Sequence, residues 1–375
     1  GWSLPLLGRQ YLDTLTTWYC RFQGCCDSGD CRISNNFAGL ESDLSVRLHG
    51  QHLARELVLR TVRGYLETPL PARALALSFH GWSGTGKNFM ARMLAENLYR
   101  DGLRSDCVKM FIATFHFPHP KYVDLYQERL AAQIQETRQR CHQTLFIFDE
   151  AEKLHPGLLE VLGAHLERQV PKSHQTKASR TIFLFLSNLG GNAINEVVLN
   201  LLKAGWSREE ITMEQLEPRL RAEIVQSTGG PREMAGSLSS FSEMLKRVGS
   251  ARGLAVGPVD SEEVTLREPQ RSVSRQRGII PLLSAVTQTV PGDSGFGHSR
   301  LVQENLIDLF VPFLPLEYRH VRLCARDAFL SEELLYTEEA LDEIAKMLVY
   351  VPKDEPLFSS QGCKSISQRI SYFLP

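Results

Sequence analysis

The sequence predicts an α/β fold, a doubly wound parallel sheet with helices on both faces and a small helical lid domain at the C-terminal end. Two stretches carry that prediction. The first is Leu75 to Lys87, Leu-Ala-Leu-Ser-Phe-His-Gly-Trp-Ser-Gly-Thr-Gly-Lys, an apolar run that breaks into glycines and a lysine before helical spacing resumes over Phe89 to Tyr99. The second is Leu145 to Glu150, Leu-Phe-Ile-Phe-Asp-Glu, a continuous apolar run closed by two carboxylates. A run apolar at every position is the mark of a parallel strand covered on both faces.

The first stretch has the form strand, loop, helix of a phosphate-binding P-loop. Without side chains at Gly81, Gly84 and Gly86, the backbone can wrap a phosphate and aim its N–H groups at it, beside a helix N-terminus. Trp82, Ser83, Thr85, Asn88 and Phe89 complete the candidate binding segment, and Lys87 supplies a point charge. The spacing Gly81-x4-Gly86-Lys87 is met. The Ser or Thr that normally follows to hold Mg²⁺ is Asn88, which offers an amide oxygen instead. In the second stretch, Asp149 is placed to hold Mg²⁺ and Glu150 to polarise an attacking water, the arrangement of the Walker B strand.

At 375 residues there is room for two or three domains, and 43% hydrophobic content is ample for a packed core. A formal net charge of -1 gives no global pull toward nucleic acid or acidic membrane, so neither is expected as a partner by charge alone. No run of eighteen apolar residues occurs, so no transmembrane helix is expected. The chain begins at Gly1, and nothing before Tyr11 resembles a charged region followed by an apolar one. Any signal peptide is expected to have been removed already.

Four of the eight cysteines crowd the segment Cys20-x4-Cys25-Cys26-x4-Cys31. That spacing does not match a zinc knuckle. Disulfides in an oxidising compartment are one use, and unpaired buried thiols are the alternative.

Along the chain, residues 1–44 read as a Cys-rich N-terminal segment and 45–316 as a large nucleotide-binding domain. Leu53, Leu57, Val62 and Leu66 suggest an amphipathic helix within Leu44 to Leu66, preceded by Leu48-His49-Gly50-Gln51 and stopped near Pro69. A strand is expected within Asp106 to Phe117, with Lys109 to Thr114 as its run. His116 and His119 flank Pro118, which forbids a helix between them, so they read as loop histidines rather than metal ligands. Helices follow over Tyr122 to Arg140 and Pro156 to Gln169. A third buried strand over Arg180 to Asn188 ends in a polar amide, at the sheet edge where open α/β folds bind ligands.

Residues 229–292 are rich in Gly, Ser, Pro and Arg and are expected to be a largely disordered insertion, with a weak helix over Ser239 to Val248. Leu306 to Leu316 looks like the final strand. Helices over Glu317 to Leu330, Thr337 to Val349 and Cys363 to Phe373 then make a lid spanning 317–375.

Taken together, Gly81-Trp-Ser-Gly-Thr-Gly-Lys-Asn88, Phe117-Pro-His-Pro120, Phe146-Ile-Phe-Asp-Glu150, Leu186-Ser-Asn188, Pro312-Phe-Leu-Pro-Leu-Glu-Tyr318 and Gly362-Cys-Lys364 resemble the torsins. Torsins are AAA+ P-loop ATPases of the endoplasmic reticulum lumen and nuclear envelope, related to the Clp unfoldases. The resemblance implies ATP and Mg²⁺ as cofactors and a role for each matching residue. Lys87 and the loop glycines would hold phosphates, Asn88 and Asp149 would order Mg²⁺, and Glu150 would activate water. Asn188 would be sensor 1 and Lys364 sensor 2, while Leu48 to Gln51 resembles the segment that contacts adenine. By position, Cys20 would pair with Cys141 and Cys324 with Cys363.

The resemblance also implies a lumenal location, in the endoplasmic reticulum and perinuclear space, with membrane association only peripheral or through a partner. One departure from the Clp pattern matters here. The stretch that supplies an arginine finger in Clp relatives reads Glu304-Asn305-Leu306-Ile307-Asp308, and a missing finger costs on the order of a thousandfold in turnover. Torsins are thought to borrow that arginine from the lumenal domain of a membrane-anchored cofactor of the lamina-associated or lumenal-domain-like type, and to form homo- or hetero-oligomers. Arg219 and Arg221 are read as lying on a solvated helix face. The expected function is an ATPase switched on by that partner and acting on proteins or membranes. The alternative is a nucleotide-dependent binding and assembly module with little intrinsic hydrolysis.

Overall fold

The computed structural model describes residues 30–167, 179–226 and 307–373, with Leu15 and Trp18. The expected insertion at 229–292, its helix over Ser239 to Val248, Cys20 and Leu306 lie outside the described residues.

The strands β1 (Leu75–His80), β2 (Val108–Ile112), β3 (Gln143–Asp149), β4 (Arg180–Ser187) and β5 (Leu309–Pro312) form one five-stranded sheet in the order β2-β3-β4-β1-β5. Every pairing is parallel. The register sets the functional edge, because His80 pairs with Ser187 on one side and Pro312 on the other, while Ile112 pairs with Asp149. Gly81, Glu150, Asn188 and Phe313 therefore leave the sheet at the same edge.

Two helical layers cover it. On one face α1 (Phe37–Val46), α2 (His52–Glu67) and α3 (Lys87–Leu98) bring Leu40, Leu44, Val58, Val62, Met90 and Leu94 onto Leu77, Phe79, Ile147 and Leu184. On the other, α4 (Val123–Arg140), α5 (Pro156–Glu167), α6 (Gly191–Lys203) and α7 (Met213–Gln226) pack Ile134, Leu162, Ile194 and Leu216 against Phe146, Phe148, Phe183 and Phe185. Successive strand residues face opposite layers and both layers are apolar, which is why these strands read as unbroken hydrophobic runs.

Three elements differ from the sequence expectation. Helix α1, capped by the Asn36 side chain on the Gly39 N–H at 2.9 Å, runs across residue 44 with Leu40 and Leu44 fully buried, so the large domain's packing begins ahead of that boundary. Strand β2 stops at Ile112, and Ala113–His116 is one helical turn. The final strand is shorter than Leu306 to Leu316, since after Pro312 the chain turns inward to bury Phe313, Leu314 and Leu316.

The lid has its own core. Helices α8 (Tyr318–Ser331) and α9 (Glu338–Lys346) pack Val321, Phe329, Leu341 and Ile344 against Ile366 and Ile370 from the last turns. Thr337 caps α9 through its hydroxyl on the Ala340 N–H. Strands β6 (Tyr350–Val351) and β7 (Phe358–Ser359) form a short antiparallel pair, and the chain after them returns to the large domain.

Candidate functional site

The glycine loop leaves β1 with left-handed backbone at Gly84 (φ 74°) and Gly86 (φ 114°), which L side chains rarely adopt. Space forbids them as well, since a Cβ on Gly86 would come within 2.7 Å of Leu48 Cδ1. Gly86 is the N-cap of α3, so Lys87, Asn88 and Phe89 sit in the first turn with their backbone N–H groups free of intrahelical partners. That end of a helix is built to meet an anion.

Lys87 is buried, and its Nζ donates to the carbonyls of Gly81 (2.7 Å) and Trp82 (2.8 Å). Burial pulls its pKa down to about 8 against the opposing pull of Glu152 and Asp149. Beside it, the Asn88 amide nitrogen donates to Asp149 Oδ2 at 3.0 Å, which brings the P-loop helix and the end of β3 into direct contact. An amide oxygen and a carboxylate are hard donors of the kind Mg²⁺ takes alongside phosphate oxygens, so this pair fits that ion.

Glu150 is a non-glycine residue in the left-handed region (φ 54°), a strain of order 1–3 kcal/mol found mainly where function requires it. Its N–H donates to Asp149 Oδ1 at 2.8 Å. Its carboxylate is already engaged, accepting from the Thr114 hydroxyl at 2.9 and 3.1 Å and from Lys153 Nζ at 3.1 Å. Thr114 was legible only as a strand residue; its reach to Glu150 depends on the helical turn that follows β2.

Asn188 is exposed, one residue past Ser187 and hence one residue beyond the level at which β1 enters the loop. The segment carrying Lys364 rests on the loop itself. Cys363 N–H donates to the Gly84 carbonyl at 2.9 Å, and a Cβ on Gly362 would lie 2.2 Å from that same oxygen. The Lys364 side chain is exposed beside this contact. Among the remaining candidates, Thr85 is buried with its hydroxyl donating to the Trp82 carbonyl at 2.8 Å, and Trp82 Nε1 donates to Asn192 Oδ1 at 2.9 Å on α6. The Phe89 ring points away, under the Arg47 guanidinium at 5.1 Å, so only its backbone faces the loop. Ser83 is half-buried within the loop.

Gln51 ties three parts of the fold together. It is 2% exposed and makes three bonds: Nε2 to the carbonyls of Thr85 (2.9 Å) and Leu314 (2.8 Å), and Oε1 from the Leu314 N–H (2.7 Å). One buried amide thereby joins the segment Leu48 to Gln51, the glycine loop and the chain leaving β5.

The disulfides require one correction. Cys141 is bonded to Cys107, 5.7 Å away Cα to Cα, and not to Cys20. Cys107 immediately precedes β2 and Cys141 follows α4 just ahead of β3, so the pairing of neighbouring strands brings the two together. Cys31 is also disulfide-bonded. In the lid, Cys324 on α8 is joined to Cys363, with 6.3 Å between Cα atoms, which ties the turn resting on Gly84 to the first lid helix. Arg219 makes an exposed ion pair with Glu196 at 2.6 Å, while Arg221 pairs with Glu217 and lies over the Phe310 ring at 4.9 Å.

With β1 between β4 and β5, and a lid folded back on the loop that β1 feeds, the architecture is that of an AAA+ protein. Comparison with known proteins narrows this. The Torsin family model matches residues 20–148, and the model of the Torsin-1A C-terminal domain matches 316–373. The chain is 66% identical over 374 residues to Torsin-3A of Homo sapiens, covering 100% of this chain and 78% of that protein. It is 60% identical to Torsin-3A of Rattus norvegicus and 59% to that of Mus musculus, again over 100% of this chain and over 79% and 81% of those proteins. This chain belongs to the torsin family. Among solved structures, the S. cerevisiae Hsp104-ADP complex matches with 18% identity and a TM-score of 0.49, over 90% of this chain and 46% of that one.

Proposed function

We propose that this torsin binds ATP with Mg²⁺ at the glycine loop and hydrolyses it weakly until a partner completes the site. The observation that carries the proposal is the conjunction of Gly84, Gly86 and buried Lys87 with the Asn88–Asp149 contact on one sheet edge. In this reading the loop N–H groups and Lys87 hold the phosphates, and Asn88 and Asp149 would hold the ion, which when bound would supply positive charge against the phosphate oxygens. Glu150 orients and deprotonates water once released from Thr114. Asn188 and Lys364 contact the terminal phosphate from the strand edge and the lid, and Leu48 to Gln51 lies along the base.

Low turnover in isolation is supported from two sides. The Glu150 carboxylate is occupied by Thr114 and Lys153, and the finger position carries Leu306 rather than arginine. The missing charge would come from the lumenal domain of a membrane-anchored cofactor, with the protein acting in the endoplasmic reticulum lumen and perinuclear space to remodel proteins or membranes. Engagement of Glu150 also favours the second reading, an assembly module that binds nucleotide and hydrolyses little.

Two variants test the assignment. Glu150→Gln should retain ATP binding and abolish hydrolysis measured with the cofactor's lumenal domain present, whereas Lys87→Ala should lose nucleotide. Loss of ATP binding in Glu150→Gln would overturn the role given to Glu150. Turnover that is equal with and without the cofactor's domain would favour the second reading.

A further inference from the structure

One deeply buried cation has no place in the site as described. Arg208 opens the short 3-10 turn Arg208–Glu210 between α6 and α7 and is 2% exposed. A guanidinium at that depth has to be paired, because an uncompensated buried charge costs several kcal/mol. Its partners lie in two different parts of the molecule. Nη2 and Nε donate to the Gly50 carbonyl at 2.8 and 3.2 Å, and Nη1 reaches Glu317 Oε2 at 3.3 Å. Gly50 belongs to the base-side segment, and Glu317 is the N-cap of α8, the first helix of the lid.

The surroundings are shaped for this bridge. Gly50 is left-handed (φ 69°), and a Cβ there would meet Arg208 Nη2 and His320 Nε2 at 3.0 Å. His320, buried on α8, accepts from the Glu317 N–H through Nδ1 at 3.0 Å and completes the capping box. His49, the neighbour of Gly50 in the base-side segment, pairs with Asp327 about two turns beyond His320 on the same lid helix. Adjacent residues of one loop are thus held by the lid, His49 directly and Gly50 through Arg208.

We propose that Arg208 is a positioning residue that sets the shape of the base-side segment and ties it to the lid, so that engagement of the adenine ring and placement of the lid are one coupled event. The proposal rests on the nucleotide reading above. A planar fork is required for it, because only a guanidinium can bond the Gly50 carbonyl along one edge while reaching a carboxylate with its other nitrogen. A lysine keeps the charge and loses that geometry.

The test compares ATP with inorganic tripolyphosphate, which carries the phosphates without the base, by calorimetric titration of the full chain with Mg²⁺. In Arg208→Lys, ATP affinity should fall about tenfold or more while tripolyphosphate affinity stays within about twofold of the unaltered protein. Amide exchange across 317–331 should slow on ATP binding in the unaltered protein and not in the variant. An unchanged ratio of ATP to tripolyphosphate affinity in Arg208→Lys overturns the proposal and leaves the nucleotide reading standing. Failure of the unaltered chain to bind either probe removes the nucleotide reading and the proposal with it. Should Arg208→Lys not fold, Glu317→Gln serves instead, since it spares the bonds to Gly50 and weakens only the lid side. That variant should hold ATP within about threefold yet lose the ATP-induced protection of 317–331, and protection equal to the unaltered protein's would overturn the proposal.

Discussion

Lys87 illustrates how much a single side chain's burial decides. With its pKa pulled down to about 8, the amine of the nucleotide-free protein is partly neutral at mildly alkaline pH, whereas a triphosphate beside it holds it protonated. ATP binding near pH 8 should therefore take up a fraction of a proton, read as a dependence of binding enthalpy on the ionisation enthalpy of the buffer. That dependence should fade by pH 6.5, where the amine is already protonated before ATP arrives. His80, the last residue of β1, supplies a second test. Its Nδ1–H donates to the Leu189 carbonyl (2.8 Å) and its Nε2 accepts from the Ser78 hydroxyl (2.7 Å), so the neutral ring is fully satisfied, and burial pushes the pKa from 6.5 to about 4. The unfolded chain binds this proton more readily. Stability from His80 is thus complete above pH 6.5 and lost as pH falls toward 4, on the order of 3 kcal/mol in all. Denaturant titrations at pH 7.5 and 5 should show the loss, and His80→Gln should reduce it. His320, lowered to about 3 by burial and by Arg208, acts in the same direction. The glycine-lysine run and the acidic pair after β3 stand out in the sequence because each is a local pattern, and the structure brings Asn88 and Asp149 together. Thr114 reads only as a strand residue, Gln51 only as part of the segment Leu48 to Gln51, and Arg208 carries no motif, because the contacts each makes join elements far apart in sequence.

Among the elements, strands read more surely than helix ends or cysteine partners. Leu145 to Asp149 and Thr181 to Leu186 announce themselves because both their faces are covered. Helix α6 is absent from the sequence reading, although Ile194, Val197, Val198 and Leu201 keep helical spacing. The cysteine misassignment has a physical root, as pairing is decided by which strands become neighbours. The Cys107–Cys141 bridge spans 34 residues, so Cys107→Ser should cost about 3–4 kcal/mol by the chain-entropy account. Non-reducing peptide mapping should find the Cys107–Cys141 link intact in Cys20→Ser. A Cys20–Cys141 peptide in the unaltered protein would contradict the structure.

For the molecule as a whole, the sheet order follows from α/β alternation, but the docking of the lid does not. Nothing in Gly362-Cys-Lys364 announces that its backbone will touch Gly84, because that contact is made by groups every residue possesses. Residues 229–292 stand between α7 and β5, where the chain re-enters beside β1. Lengthening such a connection costs only about 0.6 kcal/mol per doubling, so removing 229–292 should leave ATP affinity and melting temperature nearly unchanged. The deletion should raise stimulation of turnover by the cofactor's lumenal domain, and equal stimulation in both forms would show that the segment stays clear of that contact.

The placement of β5 also sets a timetable for the chain's birth. Strand β1 is flanked by β4 and by β5, and Leu77 pairs with Leu309 from the far end of the sequence. Until Pro312 has left the ribosome, β1 presents one unpaired edge, Gln51 has no Leu314 to bond, and the glycine loop lacks one of its walls. Synthesis at about 5–20 residues per second leaves that edge open for many seconds after β4 has emerged. In the nucleotide reading proposed above, the phosphate site is complete only once that wall has formed.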